Sequence, residues 1–239
     1  MTELLFRTDA YATSSVATVT RVDERGIQLD RTVFYPTGGG QPGDVGTLRS
    51  RDGDIAISGT IKGQAPEDPP DAVIHVPAPG SRVPAVGDSV VAEIDFARRH
   101  RLMRFHTSLH LLCSIVPGAV TGGSIGEDKA RLDFDVATDS LDKDEIEARL
   151  NAMVSAAHPV VSHWISDDDL AARPELVRTM SVKPPSGHGR VRLVNIEGVD
   201  LQPCGGTHVK NTAEIGRVVV TKVENKGRQN RRIIIGLAD

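Results

Sequence analysis

The 239 residues carry 28 Lys and Arg against 32 Asp and Glu, a net charge of −4, with 39% hydrophobic and 25% charged residues. That balance suits one large or two small globular domains with a sizeable core, and no run of eighteen apolar residues exists to span a membrane. The opening MTELLFRTDAY lacks the basic-then-apolar pattern of a secretory signal, and two cysteines, Cys113 and Cys204, build no disulfide framework, so a cytoplasmic protein is expected.

From the N-terminus the chain reads as short strands separated by turns. Val16–Val22 alternates, Gly26 opens Ile27–Leu29, and Thr32–Tyr35 is β-branched and aromatic. Asp52-Gly53, between Gly46–Leu48 and Ile55–Ile57, predicts a hairpin because Asp-Gly readily takes positive φ. Gln64–Pro70 and Pro77–Pro84 read as Pro-containing loops, and Val90–Ile94 as a closing strand. Many short strands with Gly-rich turns predict a small β-barrel. The pattern changes near Asp95. Apolar residues at Leu102, Phe105, Leu109 and Leu112 predict a helix over Phe96–Val116, stopped by Pro117-Gly118. A second helix is expected over Lys143–Ala157, with Ser140 or Asp142 as N-cap and His158-Pro159 as its stop. Strands are expected at Arg131–Asp135, Val160–Ile165, Val191–Ile196, Ile215–Val223 and Arg232–Leu237. The fold class is therefore α+β: a β-barrel over residues 1–95, then an α+β domain over 96–239 with helices packed on an antiparallel sheet.

Two basic clusters stand out, Arg98, Arg99, Arg101 and Arg104, and then Arg217, Lys222, Lys226, Arg228, Arg231 and Arg232. Each is either a solvated face or a steering patch for a nucleic acid.

His106 and His110 sit four apart on the first helix, which puts both imidazoles on one face within reach of a single metal ion. The pair lacks the adjacent glutamate of the zinc-protease motif. Far downstream, Pro203-Cys204-Gly205-Gly206-Thr207-His208 places a thiolate and an imidazole on a Gly-Gly turn, whose glycines let the backbone fold tightly. Three histidines and one cysteine form a donor set suited to tetrahedral zinc. Cys113, three residues past His110, is either a spare ligand or, in the commoner use of cysteine, a small core residue.

His106-Thr107-Ser108-Leu109-His110 followed by Cys204-Gly205-Gly206-Thr207-His208-Val209 resembles the editing domain of alanyl-tRNA synthetases, and more closely the freestanding AlaX-type editing proteins. The stretch from Leu29 to Asp44, with Gly38-Gly39-Gly40-Gln41, resembles that family's glycine-rich motif. Ala130–Asp135 is similar to its central strand and Val191–Ile196 to the strand approaching the cysteine motif. The length resembles the intermediate-sized class, which keeps the N-terminal barrel but not the extra C-terminal tRNA-binding region. One departure is Val120-Thr121-Gly122-Gly123-Ser124-Ile125, where synthetase editing domains often carry a glutamine.

The resemblance implies a zinc-dependent hydrolase acting in trans on alanine tRNA mischarged with serine or glycine. Zn2+ would be held by His106, His110, Cys204 and His208. Four protein ligands sit uneasily with the open position a catalytic zinc keeps, and His208 is the expected weak ligand. No acidic residue adjoins either motif, so no protein base is named. Thr32 is the expected partner of the serine hydroxyl, or an ordinary strand threonine; Thr107 and Ser108 either line the pocket or face outward. Gly38, Gly39, Gly40 and Gln41 either approach the aminoacyl end or close a tight barrel turn. The residues alone also suit a non-catalytic zinc module binding RNA or protein, or a zinc hydrolase of small esters or amides.

Overall fold

A computed structural model describes residues 2–136, 141–177, 189–227 and 229–238. The chain divides into two compact units, Met1–His100 and Arg101–Asp239. No helix among the described residues is long and apolar enough to cross a membrane.

The first unit holds β1 (Glu3–Leu4), α1 (Leu5–Thr8), β2 (Ser14–Asp23), β3 (Gly26–Leu29), β4 (Arg31–Thr32), β5 (Gly46–Ser50), β6 (Gly53–Lys62), β7 (Val73–Pro77) and β8 (Ser89–Ile94). Six of these close into a barrel in the order β2-β3-β7-β6-β5-β8. Alternation drives the closure, because Ala17, Val19, Leu48, Ile55, Ile57, Val90, Ala92 and Ile94 all turn inward and share one core with Ile27, Leu29 and Phe34. The expected hairpin forms, with Ser50 paired to Gly53. Arg51 and Asp52 turn the chain, and Gly53 takes φ +127° as the first residue of β6.

Thr32–Tyr35 departs from the sequence expectation, since the strand stops at Thr32. Side chains then replace strand partners: the Phe34 N–H donates to Thr32 Oγ1 (3.0 Å) and the Tyr35 N–H to Asp44 Oδ2 (2.6 Å). Asp44 is itself held by Arg99, whose Nε lies 2.9 Å from Asp44 Oδ1 while Nη1 and Nη2 donate to Ala10 O and Val33 O. Both members of this ion pair are buried.

Thr32 and His75 form a second buried polar pair, Oγ1 to Nε2 at 2.8 Å, while His75 Nδ1 lies 3.0 Å from Ile27 O. A carbonyl only accepts, so Nδ1 carries the proton and Nε2 receives the Thr32 hydroxyl. Burial pushes the His75 pKa down to about 4, against an ordinary value of 6.5. The folded state therefore prefers neutral His75, and between these values the unfolded chain binds more protons, so stability falls as pH drops. Unfolding of the first unit is expected to become easier by about 3 kcal/mol from pH 6.5 to pH 4. Denaturant midpoints across that range check this, and a His75→Gln variant is expected to lack that part of the slope.

The second unit contains most of α2 (Phe96–Ile115), then β9 (Ala119–Ile125), β10 (Ala130–Asp135), α3 (Lys143–Ser155), β11 (Val160–Ser166), α4 (Asp167–Ala171), β12 (Arg190–Ile196), β13 (Asp200–Pro203), β14 (Arg217–Asn225) and β15 (Asn230–Ala238). Two antiparallel sheets result, β14-β15-β10-β9 and β11-β12-β13. Asp142 caps α3 by accepting from the Asp144 and Glu145 N–H groups; Ser140, the alternative cap, lies outside the described residues. Along α3, Asn151 and Glu147 accept from the Val218 and Val220 N–H groups, so the helix closes the outer edge of β14.

Candidate metal centre

His106 and His110 project from α2 one turn apart, with ring centroids separated by 5.5 Å. The other half follows β13. The Cys204 N–H donates to Arg192 O, extending the β12–β13 ladder by one bond, and the Arg192 Nη1 group donates to Cys204 O and Gly206 O, both at 3.0 Å. This guanidinium, more than the glycines, shapes the loop. Neither Gly205 nor Gly206 is among the positive-φ glycines, and a Cβ at Gly205 would meet nothing within 4 Å. The expectation that the glycines let the backbone fold tightly finds no support at Gly205, which needs neither positive φ nor the space of a missing Cβ.

Helix and loop bring His106, His110, Cys204 and His208 together. One ligand atom from each lies within 4.8 Å of all the others, and the group can hold a metal ion. Cys204 Sγ is 3.5 Å from His106 Nε2 and 3.2 Å from His208 Nε2, and it accepts the Gly206 N–H at 3.4 Å. Cys113 is buried one turn beyond His110 and is not in this group.

Electrostatics favour the same use at Cys204 and His208. Burial alone raises a thiol pKa, but the imidazoles of His106 and His208 overcome it and hold Cys204 well below the usual range, toward thiolate. Burial, with His106 beside it, holds His208 well below 6.5, so its imidazole stays neutral and able to donate a lone pair. At His110 burial acts downward, yet Asp200 and Cys204 outweigh it and raise the pKa to about 9.

Two residues of this centre escaped the sequence reading. Asp200 Oδ2 lies 2.9 Å from His110 Nδ1, and Gln202 Nε2 donates to the same oxygen at 2.8 Å. Both are 5% exposed. A carboxylate on Nδ1 fixes the proton there and leaves Nε2 for a metal, an arrangement common around metal-ligating histidines. Asp200 stands four residues before Cys204 and reaches His110 through the fold. Alternation in Asp200-Leu201-Gln202-Pro203-Cys204 carried the signal, since it aims Asp200 and Gln202 at one face.

The remaining candidates are placed as follows. Thr107 is fully buried, with Oγ1 3.1 Å from His208 Nδ1 and accepting the Val209 N–H at 3.3 Å. It orients His208 rather than lining an open pocket. Ser108 is buried too, donating to Arg104 O within the helix. The Thr32 hydroxyl, expected to meet a substrate, is committed to His75 and Phe34 inside the first unit, where Thr32 is fully buried. Gly38 and Gln41 exchange both backbone hydrogen bonds at 3.0 Å around Gly39 and Gly40, whose φ values of +58° and +81° are those a two-residue hairpin turn demands. The two central glycines are exposed at its tip, whereas Gln41 is fully buried, so its side chain is not offered to solvent.

The basic clusters are corrected as well. Arg98 donates to Gly43 O, Arg99 is buried on Asp44, and Arg101 and Arg104 donate to Glu127 O and Ile215 O. Downstream, Lys222 and Lys226 pair with Glu224, Arg232 with Asp133, and Arg231 is buried; Arg228 lies outside the described residues. Of these ion pairs the Arg99–Asp44 pair is fully buried, whereas Lys222 and Lys226 stay exposed. A groove of about 630 Å³ runs along α3 past Asp144, Glu147, Asn151 and Arg217, but none of the four metal-ligand candidates lines it.

Comparison with known proteins places the chain in a family. Residues 191–234 match the threonyl and alanyl tRNA synthetase second additional domain, and residues 7–98 match the class II (A) tRNA synthetase family. The chain is 36% identical to the alanyl-tRNA editing protein AlaX-M of Methanosarcina acetivorans, over all of both chains. It belongs to the alanyl-tRNA editing protein family. A second relative, AlaX-M of Saccharolobus solfataricus, is 33% identical over 98% of each chain. The alanine–tRNA ligase of Pyrobaculum neutrophilum is 34% identical over 93% of this chain but only 25% of its own length. The two matched stretches fall one in each compact unit.

Proposed function

We propose that this chain is a trans-acting aminoacyl-tRNA deacylase, which hydrolyses the ester of alanine tRNA wrongly charged with serine or glycine at a zinc ion held by His106, His110, Cys204 and His208. The single observation that carries the reading is the convergence of these four side chains, within 4.8 Å of one another, in a chain matched end to end by a protein named for alanyl-tRNA editing. Three imidazole nitrogens and one thiolate suit zinc better than a hard, oxygen-seeking cation. Asp200 sets the donor atom of His110 and Thr107 meets the remote nitrogen of His208, so two ligands arrive pre-oriented. When bound there, zinc supplies a Lewis acid for the ester carbonyl and acidifies water.

The chain's own groups supply position. Arg192 fixes the carbonyls of Cys204 and Gly206, which keeps the thiolate aimed at the histidines. Gly205 leaves open space beside the ligand loop, where a substrate backbone can approach. The reaction belongs to the cytoplasm, where tRNA is charged. Release of serine, glycine and alanine from the three charged forms of alanine tRNA tests the reading. Rapid loss of serine or glycine with alanine spared is expected; equal rates for all three, or none, would overturn it.

Asp200→Asn tests the positioning directly. Loss of the carboxylate on Nδ1 is expected to weaken zinc binding 10- to 100-fold, the usual effect of losing an outer-shell partner. Competition with a chelator of known affinity measures it, and an unchanged affinity would remove Asp200 from the centre.

A further inference from the structure

We infer that Trp164 and Arg190 form a stacking platform for an unpaired nucleotide preceding the aminoacylated end of the tRNA. The inference rests on the deacylase reading above and names how that substrate is held.

Register puts the platform beside the metal centre. Trp164 pairs across β11–β12 with Arg192, whose carbonyl accepts the Cys204 N–H on the far side. Trp164, Arg192 and Cys204 therefore stand in line across three chain segments on one face of the sheet, the face that also carries Asp200 and Gln202. Neighbouring strands are about 4.8 Å apart, so Trp164 lies roughly 10 Å from Cys204 along the sheet. That is the rise of about three stacked nucleotides at roughly 3.4 Å each.

Chemistry then selects the occupant. Trp164 is 40% exposed, a large aromatic with no core to fill, on the sheet-edge strand β11. The Arg190 guanidinium lies over the indole ring, 4.9 Å from its centroid, so a planar cation caps one ring face and a base stacks on the other face or on the guanidinium itself. Aromatic rings with arginine beside them hold single-stranded nucleic acid, because every base offers a π-face and every phosphate a negative charge. The acidic run Asp167–Asp169 does not oppose this. Its helix packs through Leu170 on Val191 and Leu193, which belong to the opposite face. Arg190 is exposed and shares the sheet face of Trp164 and Arg192.

Trp164 is the chain's one tryptophan, so its fluorescence reports this site alone. The zinc-loaded protein is titrated with an alanine-tRNA acceptor-stem hairpin, with or without its unpaired 3′ end. Quenching only by the form with the unpaired end is expected. In deacylation of seryl-tRNA, Trp164→Ala is expected to raise KM about 5- to 150-fold, the equivalent of one lost base–aromatic stack, with kcat little changed. Trp164→Phe is expected to recover most of this, and cleavage of seryl-adenosine, which lacks the preceding nucleotides, is expected to stay unchanged. Quenching by both hairpins alike, an equal loss on seryl-adenosine, or a wild-type dimer that Trp164→Ala dissociates would overturn the inference, the last by making β11 a self-association edge. Deacylation that proceeds without quenching sinks the platform alone, whereas quenching without any deacylation sinks the enzymatic reading.

Discussion

Cys204→Ala is expected to release zinc and abolish deacylation while leaving both units folded. Cys204 supplies the one anionic donor of the group, and its charge is what the neighbouring imidazoles stabilise. Removing it takes away that negative charge and deletes the contacts at 3.2 and 3.5 Å that draw His208 and His106 together. The loss in affinity is expected to exceed the 10- to 100-fold effect of losing an outer-shell partner. The fold is expected to survive, because the hydrophobic core of Leu170, Leu176, Val191 and Leu193 does not include Cys204, and the Arg192 forks bind its carbonyl rather than its side chain. Metal content, circular dichroism and seryl-tRNA turnover of the purified variant check the three parts separately. Full activity in a zinc-free variant would refute the metal's role in catalysis.

Arg99→Leu is the second large effect, and it falls on stability. Arg99 is fully buried and makes bonds to Asp44, Ala10 and Val33, while Asp44 fixes Tyr35 at the head of the glycine-rich segment. Truncating one partner strands a buried carboxylate, which typically costs about 3–5 kcal/mol. Replacing both partners removes the stranded charge, so Arg99→Leu combined with Asp44→Leu is expected to be less destabilised than Arg99→Leu alone. Urea midpoints of the two variants decide it, and a double variant worse than the single would mean that Asp44 acts through its backbone-facing bonds alone.

Much of this architecture could be read from residue order. Alternation at Val16–Val22 announced β2, which buries Ala17 and Val19 on one face, and the helical spacing of Leu102, Phe105, Leu109 and Leu112 announced α2, which is buried all round from Phe105 to Cys113. The i, i+4 histidines and the Cys204–His208 pair were visible for the same geometric reason. What stayed hidden depended on long-range partners. Strand β7 is short and has a histidine at its centre, made tolerable only by Thr32 and Ile27. Strand β9 contains Gly122-Gly123 and reads as a loop until β10 pairs with it. Strand β13 spans four residues and ends in Pro203, so its brief alternation stands out only once β12 pairs with it. Asp200 became a member of the centre only when β13 was seen to run past α2. For the arginines of α2 the sequence left two uses open, since composition records charge but not the backbone carbonyl or carboxylate that holds each guanidinium.

X-ray absorption at the zinc edge addresses the convergence of helix and loop without reference to turnover. One sulfur at about 2.3 Å and three nitrogens at about 2.0–2.1 Å are expected around a single zinc per chain. A shell without sulfur, or protein that purifies active with no zinc at all, would contradict the assignment of His106, His110, Cys204 and His208 as one site.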